Sequence, residues 1–268
     1  MSTILDTIIA SKKLEIERLK PLSPIERFRK EGFFWEIGNR SLKETLLIPG
    51  SSGIIAEFKR KSPSKGWFKP KELEVEKVVR TYNDSGAAGM SVLTDEPFFG
   101  GDLDDLIQAK VVSDIPVLRK DFIIDEWQIA EAKAFGGDVI LLIAACLSPS
   151  RVQELALYAK TIGLEVLLEI HDQSELEHIC EEVDMVGVNN RNLKTFEVDI
   201  QTSLDLIQFI PNDKPAVAES GINDVATIHQ LRNAGFKGFL IGERFMREDD
   251  PATAFTAFVQ ELRATTQL

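Results

Sequence analysis

The sequence predicts an α/β chain folded as a (β/α)8 TIM barrel with an N-terminal helical extension. Three observations carry that expectation. Short apolar segments alternate with helix-patterned ones through eight rounds, and each apolar segment has the length of a buried parallel strand. No GxGxxG fingerprint follows the first of them, as an open dinucleotide-binding sheet would show. The 268 residues are expected to form one barrel domain, 1–268, with residues 1–50 as the extension and 51–268 as the barrel.

The extension opens with MSTILDTIIASKKLEIERLK, which has the pattern of an amphipathic helix. Ser2 or Thr3 can cap it, Ile4, Leu5 and Ile8 recur at helical spacing, and Lys12, Lys13 and Arg18 fall late in the segment. The turn-rich IPGSSG closes the extension. The expected strands are IIAEFK (54–59), GMSVLT (89–94), IPVLRK (115–120), DVILLIA (138–144), LEVLLEI (164–170), DMVGVNN (184–190), PAVAES (215–220) and GFLIG (238–242). Each is rich in Val, Ile or Leu and bounded by Gly, Pro, Asp or Asn, as strands buried on both faces should be. Helical periodicity fills 72–84, 102–112, 126–135, 148–161, 173–182, 201–209, 223–234 and 251–264. Pro149 and Pro251 stand at helix starts, and Ser148 and Asn223 are candidate caps.

Composition narrows the function. The chain is 44% hydrophobic and 28% charged, with a formal net charge of −12. So acidic a chain lacks the electrostatic footprint for nucleic acid or an anionic membrane, and any anion it binds must be held by a local basic site. No apolar run approaches the ~18 residues of a membrane span, and the N-terminus lacks the basic-then-apolar pattern of a secretory leader. Cys146 and Cys180 are far apart and outside any CxxC pattern, so reduced thiols and a cytoplasmic location are expected. The three histidines are scattered and no HExxH occurs, so no metal site is expected.

The working face of such a barrel is the C-terminal end of its strands, and here those ends are polar. The first strand ends in Glu57 and Lys59, the third in Lys120, the fifth in Glu169, the sixth in Asn189, Asn190 and Arg191, and the seventh in Glu219 and Ser220. Period-2 alternation puts Glu57 with Lys59, and Leu118 with Lys120, on one face. If that face is inward, two lysines and several carboxylates meet over the barrel axis. A phosphate site is the second expectation: Ser220-Gly221 and Gly242-Glu243 follow the last two strands, where barrels often hold phosphate. The SPSKG loop, Ser62 to Gly66, adds a hydroxyl, a lysine and a glycine beside the first strand.

IAEFKRKSPSKG, PVLRKDFIID, LLEIHDQSELE, GVNNRNLKTF, AESGI and LIGERFM, in this order and spacing, resemble the indole-3-glycerol-phosphate synthase family of tryptophan biosynthesis. The resemblance runs from the N-terminal helix to the last barrel helix. It implies ring closure of 1-(2-carboxyphenylamino)-1-deoxyribulose 5-phosphate with loss of CO2 and water, without cofactor or metal. Lys120 then looks like the general acid, Glu169 an acid–base carboxylate, Lys59 a substrate-carboxylate ligand or second acid, and Glu57 its ion-pair partner. A neighbouring Lys59 is expected to lower the Lys120 ammonium and make it a better acid. Asn189, Arg191, Glu219, Ser220 and Phe122 match substrate-binding positions. Ser62, Gly221, Gly242 and Glu243 match the phosphate loop, the last through its backbone N–H. Trp67 is a further candidate for stacking on the aromatic ring, His171 reads as a structural hydrogen-bonding group, and Arg60 and Lys61 read as solvated charges. IIDEWQ and ERFM depart from the commonest family pattern. The partner expected is a phosphorylated small molecule met by a monomer. Alternatives are a sugar-phosphate isomerase such as phosphoribosylanthranilate isomerase, or a non-catalytic barrel that binds a phosphorylated metabolite.

Overall fold

A computed structural model describes residues 3–266. Eight parallel strands form a closed barrel in chain order: β1 (Ile54–Phe58), β2 (Gly89–Leu93), β3 (Val117–Lys120), β4 (Val139–Ile143), β5 (Glu165–Ile170), β6 (Met185–Asn189), β7 (Ala216–Glu219) and β8 (Gly238–Ile241). Each pairs with the next, and β8 returns to β1 with Ile54 opposite Phe239. All eight lie within the segments expected from sequence. Their two faces pack differently. Ile55, Leu118, Leu141, Leu167, Met185, Val217 and Leu240 fill the interior, whereas Ile54, Val92, Ile140, Leu168 and Val188 pack outward beneath the helices. This double burial explains why the strands read as continuous apolar runs.

The extension supplies α1 (Ile4–Leu19), α2 (Ile25–Glu31) and α3 (Leu42–Leu47). Leu42 and Leu46 of α3 join the interior cluster and plug the N-terminal end of the barrel. Glu165, at the start of β5, accepts from the backbone N–H of Leu42 at 2.8 Å and Lys43 at 3.1 Å. A carboxylate thus satisfies two donors that a helix start leaves unpaired and complements its dipole.

Outside the barrel lie α4 (Val75–Ser85), α5 (Leu103–Val112), α6 (Glu126–Ala134), α7 (Pro149–Thr161), α8 (Gln201–Leu206), α9 (Val225–Ala234) and α10 (Pro251–Thr266). The segment expected as a helix over 173–182 is instead a 3-10 turn, Gln173–His178, and the one over 201–209 finishes as a 3-10 turn at Ile207–Phe209. Ser148 caps α7 as expected, but α9 is capped by Asp224, whose side chain accepts from Thr227 N; Asn223 lies one residue outside. Among the described residues no helix is long and apolar enough to cross a membrane.

Two cations depart from expectation. Arg60 is buried, paired with Asp105, bonded to Leu73 O at 2.7 Å and stacked 4.7 Å above the Phe58 ring. Lys12 is 1% exposed on the stripe Ile8–Lys12–Ile16, by which α1 meets the barrel. Its Nζ stands 3.0 Å from Glu15, 3.2 Å from Asp95 and 3.0 Å from Asp121. Burial alone would lower this ammonium, but Asp121, Asp95 and Glu15 outweigh it and raise it.

Thr3 caps α1 in a reciprocal box with Asp6, and Lys12 ties α1 to Asp95 and Asp121 of the barrel. Lys12→Ala is expected to cost about 3–5 kcal/mol, because it strands buried carboxylates without their cation. Urea denaturation checks this, and an unchanged midpoint and slope would remove Lys12 from the account of stability.

Candidate active site at the mouth of the barrel

At the C-terminal ends of the strands lies a cavity of about 310 Å3. Its wall contains Glu57, Lys59, Ser62, Lys120, Phe122, Glu169, Asn189, Arg191, Glu219, Ser220, Gly221, Gly242 and Glu243, so of the site candidates read from sequence all but Trp67 face one space. Strand alternation places them there. Inward-pointing Ile55, Leu118, Leu167, Met185 and Val217 are each followed two residues on by Glu57, Lys120, Glu169, Gly187 and Glu219.

The charged groups are interlocked. Lys59 Nζ lies 2.5 Å from Glu57 Oε1. Lys120 Nζ donates to Glu169 Oε2 at 3.1 Å and stands 3.9 Å from Glu219 Oε2. Asn189 Nδ2 donates to the other Glu169 oxygen at 3.1 Å, while its Oδ1 accepts from Arg191 N at 3.0 Å. Asn190 points away and bonds Ser203 and Ser220 O.

This geometry reverses the expected shift of Lys120. Burial alone would lower its ammonium, but the carboxylates of Glu169, Glu219 and Glu57 dominate and hold it above the ordinary lysine range. Burial would raise Glu169, yet Lys120 and then His171 hold it well below the usual carboxylate range. Glu219 goes the other way. Burial and the negative charge of Glu169, only partly opposed by Lys120, push its carboxyl up to about 8. Its Oε1 has no hydrogen-bond partner among the described residues. Two carboxyls flanking one ammonium therefore hold different protonation states.

Two glycines make room for these side chains. A Cβ at residue 187 would lie 2.3 Å from Glu219 Oε1, and one at residue 242 would lie 2.5 Å from Glu57 Oε1. Gly242 therefore serves the carboxylate cluster as well as the loop. Where a phosphate is expected from sequence, Ser220 (φ 65°) and Gly221 (φ 78°) both take positive φ, a conformation that Gly adopts freely and Ser only with strain. Gly242 leads into the short helix Glu243–Met246. The Glu243 carboxylate turns aside to Lys65 and to Arg191 Nη2, the latter 3.6 Å away. Ser62 Oγ lies on the same wall, 3.4 Å from Ser64 Oγ.

The opposite end is apolar. Phe122 lies 5.9 Å from Phe99, ring centre to ring centre, and Ile4, Leu5 and Ile8 of α1 complete the wall. Sequence reasoning treated those three only as a helix face; their role as cover depends on where α1 docks. Trp67 does not join them. It borders a separate small pocket with Arg60 and Gly100, with Lys61 Nζ 5.6 Å from its ring. His171, expected as structural, reaches the cluster: Nε2 is 3.2 Å from Glu169 Oε1 and Nδ1 is 3.1 Å from Glu175 Oε2. Its parity with Glu169 was the signal. The IIDEWQ segment is accommodated by burying Trp127 against Phe28, with Nε1 donating to Ser23 O at 2.6 Å. ERFM buries Phe245 and Met246 beside Tyr82.

Glu219 should keep its proton at pH 7 and lose it near pH 8, well above an ordinary carboxyl. Infrared difference spectra of the wild type against Glu219→Gln check this through the protonated-carboxyl band. A Glu219 already ionised at pH 6 would contradict the electrostatics described.

Comparison with known proteins bears on the fold and on the family. Among solved structures, a mandelate oxidase variant matches with a TM-score of 0.63 over 81% of this chain and 75% of its own. The 3-hexulose-6-phosphate synthase of Salmonella typhimurium matches with 0.60 over 78% and 97%. Both are 13% identical and speak to the fold alone. Curated relatives are much nearer. The indole-3-glycerol phosphate synthase of Bacteroides thetaiotaomicron is 48% identical over 98% of this chain and 100% of its own length. That of Burkholderia vietnamiensis is 44% identical over 95% and 98%. The profile of that family matches residues 5–258, and the chain belongs to the indole-3-glycerol phosphate synthase family.

Proposed function

We propose that this chain closes the pyrrole ring of 1-(2-carboxyphenylamino)-1-deoxyribulose 5-phosphate, releasing CO2 and water to give indole-3-glycerol phosphate, and acts as a carboxy-lyase. The observation that carries the reading is Lys120 held 3.1 Å from Glu169 at the floor of a cavity with an apolar end and a cationic, glycine-turned end. The aromatic ring fits against Phe122, Leu141, Ile143 and the α1 side chains, and the phosphate fits at Ser62, Gly221 and Gly242 with the backbone N–H of Glu243.

In ring closure an aromatic carbon attacks the ketone, and its oxygen must gain a proton. Lys120 supplies it. A raised ammonium is fully charged at neutral pH, and the nascent alkoxide is more basic than an amine, so a high pKa does not prevent transfer. The first bond formed leaves a carboxylate-bearing carbon that loses CO2 as aromaticity returns. The hydroxyl then departs as water, assisted by a proton donor, while Glu169 accepts the proton released as the double bond forms. Lys59, fixed by Glu57, faces the substrate carboxylate or serves the dehydration. Glu219, which carries a proton near neutrality, and Asn189 orient Lys120, Glu169 and the sugar hydroxyls. Arg191 and Ser220 frame the sugar-phosphate end.

Purified protein mixed with the carboxyphenylamino-deoxyribulose phosphate should develop indole fluorescence. Lys120→Ala should fold, retain binding of a substrate analogue, and lose about 10²–10⁴-fold in turnover. Near-normal turnover in that variant would remove Lys120 from the mechanism, and a folded wild type giving no fluorescence would favour a barrel that only binds its ligand.

A further inference from the structure

Glu169 meets nitrogen-bearing side chains on two sides. Lys120 takes Oε2, and the ring of His171 approaches Oε1 at ion-pair distance, with Nε2 out of line for a hydrogen bond. The ring is fixed from behind: Glu175 Oε2 lies 3.1 Å from Nδ1 and accepts from the His171 backbone N–H at 2.7 Å. If Lys120 gives up its proton, Glu169 loses that cation while Glu57 and Glu219 remain nearby, and Lys59 is already paired with Glu57. A buried carboxylate in that position would compete for the proton.

We propose that His171 is a positioning residue that stays an imidazolium and holds Glu169 as an anion, so that the Lys120 proton passes to the substrate oxygen instead of to Glu169. This rests on the roles given to Lys120 and Glu169 above. The groups around the ring favour its charge. Glu169 stands on its own strand, Glu175 and Asp172 come from the following turn, and the Cys146 thiol, near both glutamates, is pushed up to about 12 by burial and by their charge. Lys120 and Asn189 reach Glu169 from β3 and β6. Burial alone would lower the imidazole, but Glu169 and Glu175 outweigh it and push it up to about 10.

The test compares wild type with His171→Gln, which keeps a polar side chain without the charge. At pH 7 the variant should lose about tenfold or more in kcat, with KM little changed. Because the charge is present below the imidazole pKa and lost above it, the wild-type to variant kcat ratio should fall toward one as pH rises through about 10. Histidine-labelled wild type gives an independent reading by nitrogen NMR, in which the His171 ring should remain charged at pH 8. Unchanged kcat, a ratio flat across pH 10, or a neutral ring at pH 7 overturns the proposal. Glu169→Gln separates the two layers. If it is inactive while His171→Gln is normal, only the His171 role falls; if it keeps wild-type turnover, the reading of Glu169 falls and His171 with it.

Discussion

A partly buried ammonium at the barrel axis is the constraint around which this molecule is arranged. Lys120 stands at the end of β3 with its side chain 17% exposed, and a charge so withdrawn from water needs partners. Strands β5, β7 and β1, none of them paired with β3, answer it across the barrel with Glu169, Glu219 and Glu57. Those carboxyls create the reverse problem, an excess of negative charge, which the structure relieves in two ways. Lys59 pairs with Glu57, and Glu219 retains its proton. The outcome is an ammonium and a carboxylate held in contact, beside a carboxyl whose pKa is pushed up to about 8. Space for this cluster comes from the backbone, through missing side chains at Gly187 and Gly242.

The extension is part of the same arrangement. Lys12 binds Asp121, the residue directly after Lys120, and Asp121 also accepts from the Phe122 backbone N–H at 2.8 Å and pairs with Arg119. One buried network therefore links α1, the chain beyond Lys120 and the ring that faces the apolar end of the cavity. The helix that brings Ile4, Leu5 and Ile8 over that end is anchored beside the charged cluster. At the opposite end of the barrel, Leu42, Leu46 and the Glu165 cap hold α3 as a plug.

Much of this was legible because a barrel strand has only two faces. Once eight apolar runs close into a barrel, parity puts Glu57 with Lys59, and Leu118 with Lys120, on one face, and the polar strand ends and loop glycines mark which end of the barrel to look at; the structure supplies the inward direction. What escaped the sequence depends on distance between segments remote in the chain. Lys12 looked like a late helix cation because nothing local announces Asp95 and Asp121, although its place between Ile8 and Ile16 on the apolar stripe was a clue. Arg60 looked solvated because Asp105 lies 45 residues away. Trp67 was misplaced because residues 61–67 fold back as a short antiparallel hairpin that puts it beside Gly100 instead of in the cavity. The direction of the Lys120 shift was misjudged by counting Lys59 as its neighbour without counting three carboxyls. Helix 173–182 shortened to a turn, and that turn brings Glu175 back onto His171.

The central claim is electrostatic: negative charge, not the neighbouring lysine, decides the state of Lys120. Carbon-labelled lysine NMR of the wild type, with Lys120→Met to assign the resonance, measures that state directly. The account predicts a Lys120 side chain that remains charged beyond the ordinary lysine value of 10.5. A Lys120 signal that titrates near pH 8, as repulsion from Lys59 would produce, would contradict it.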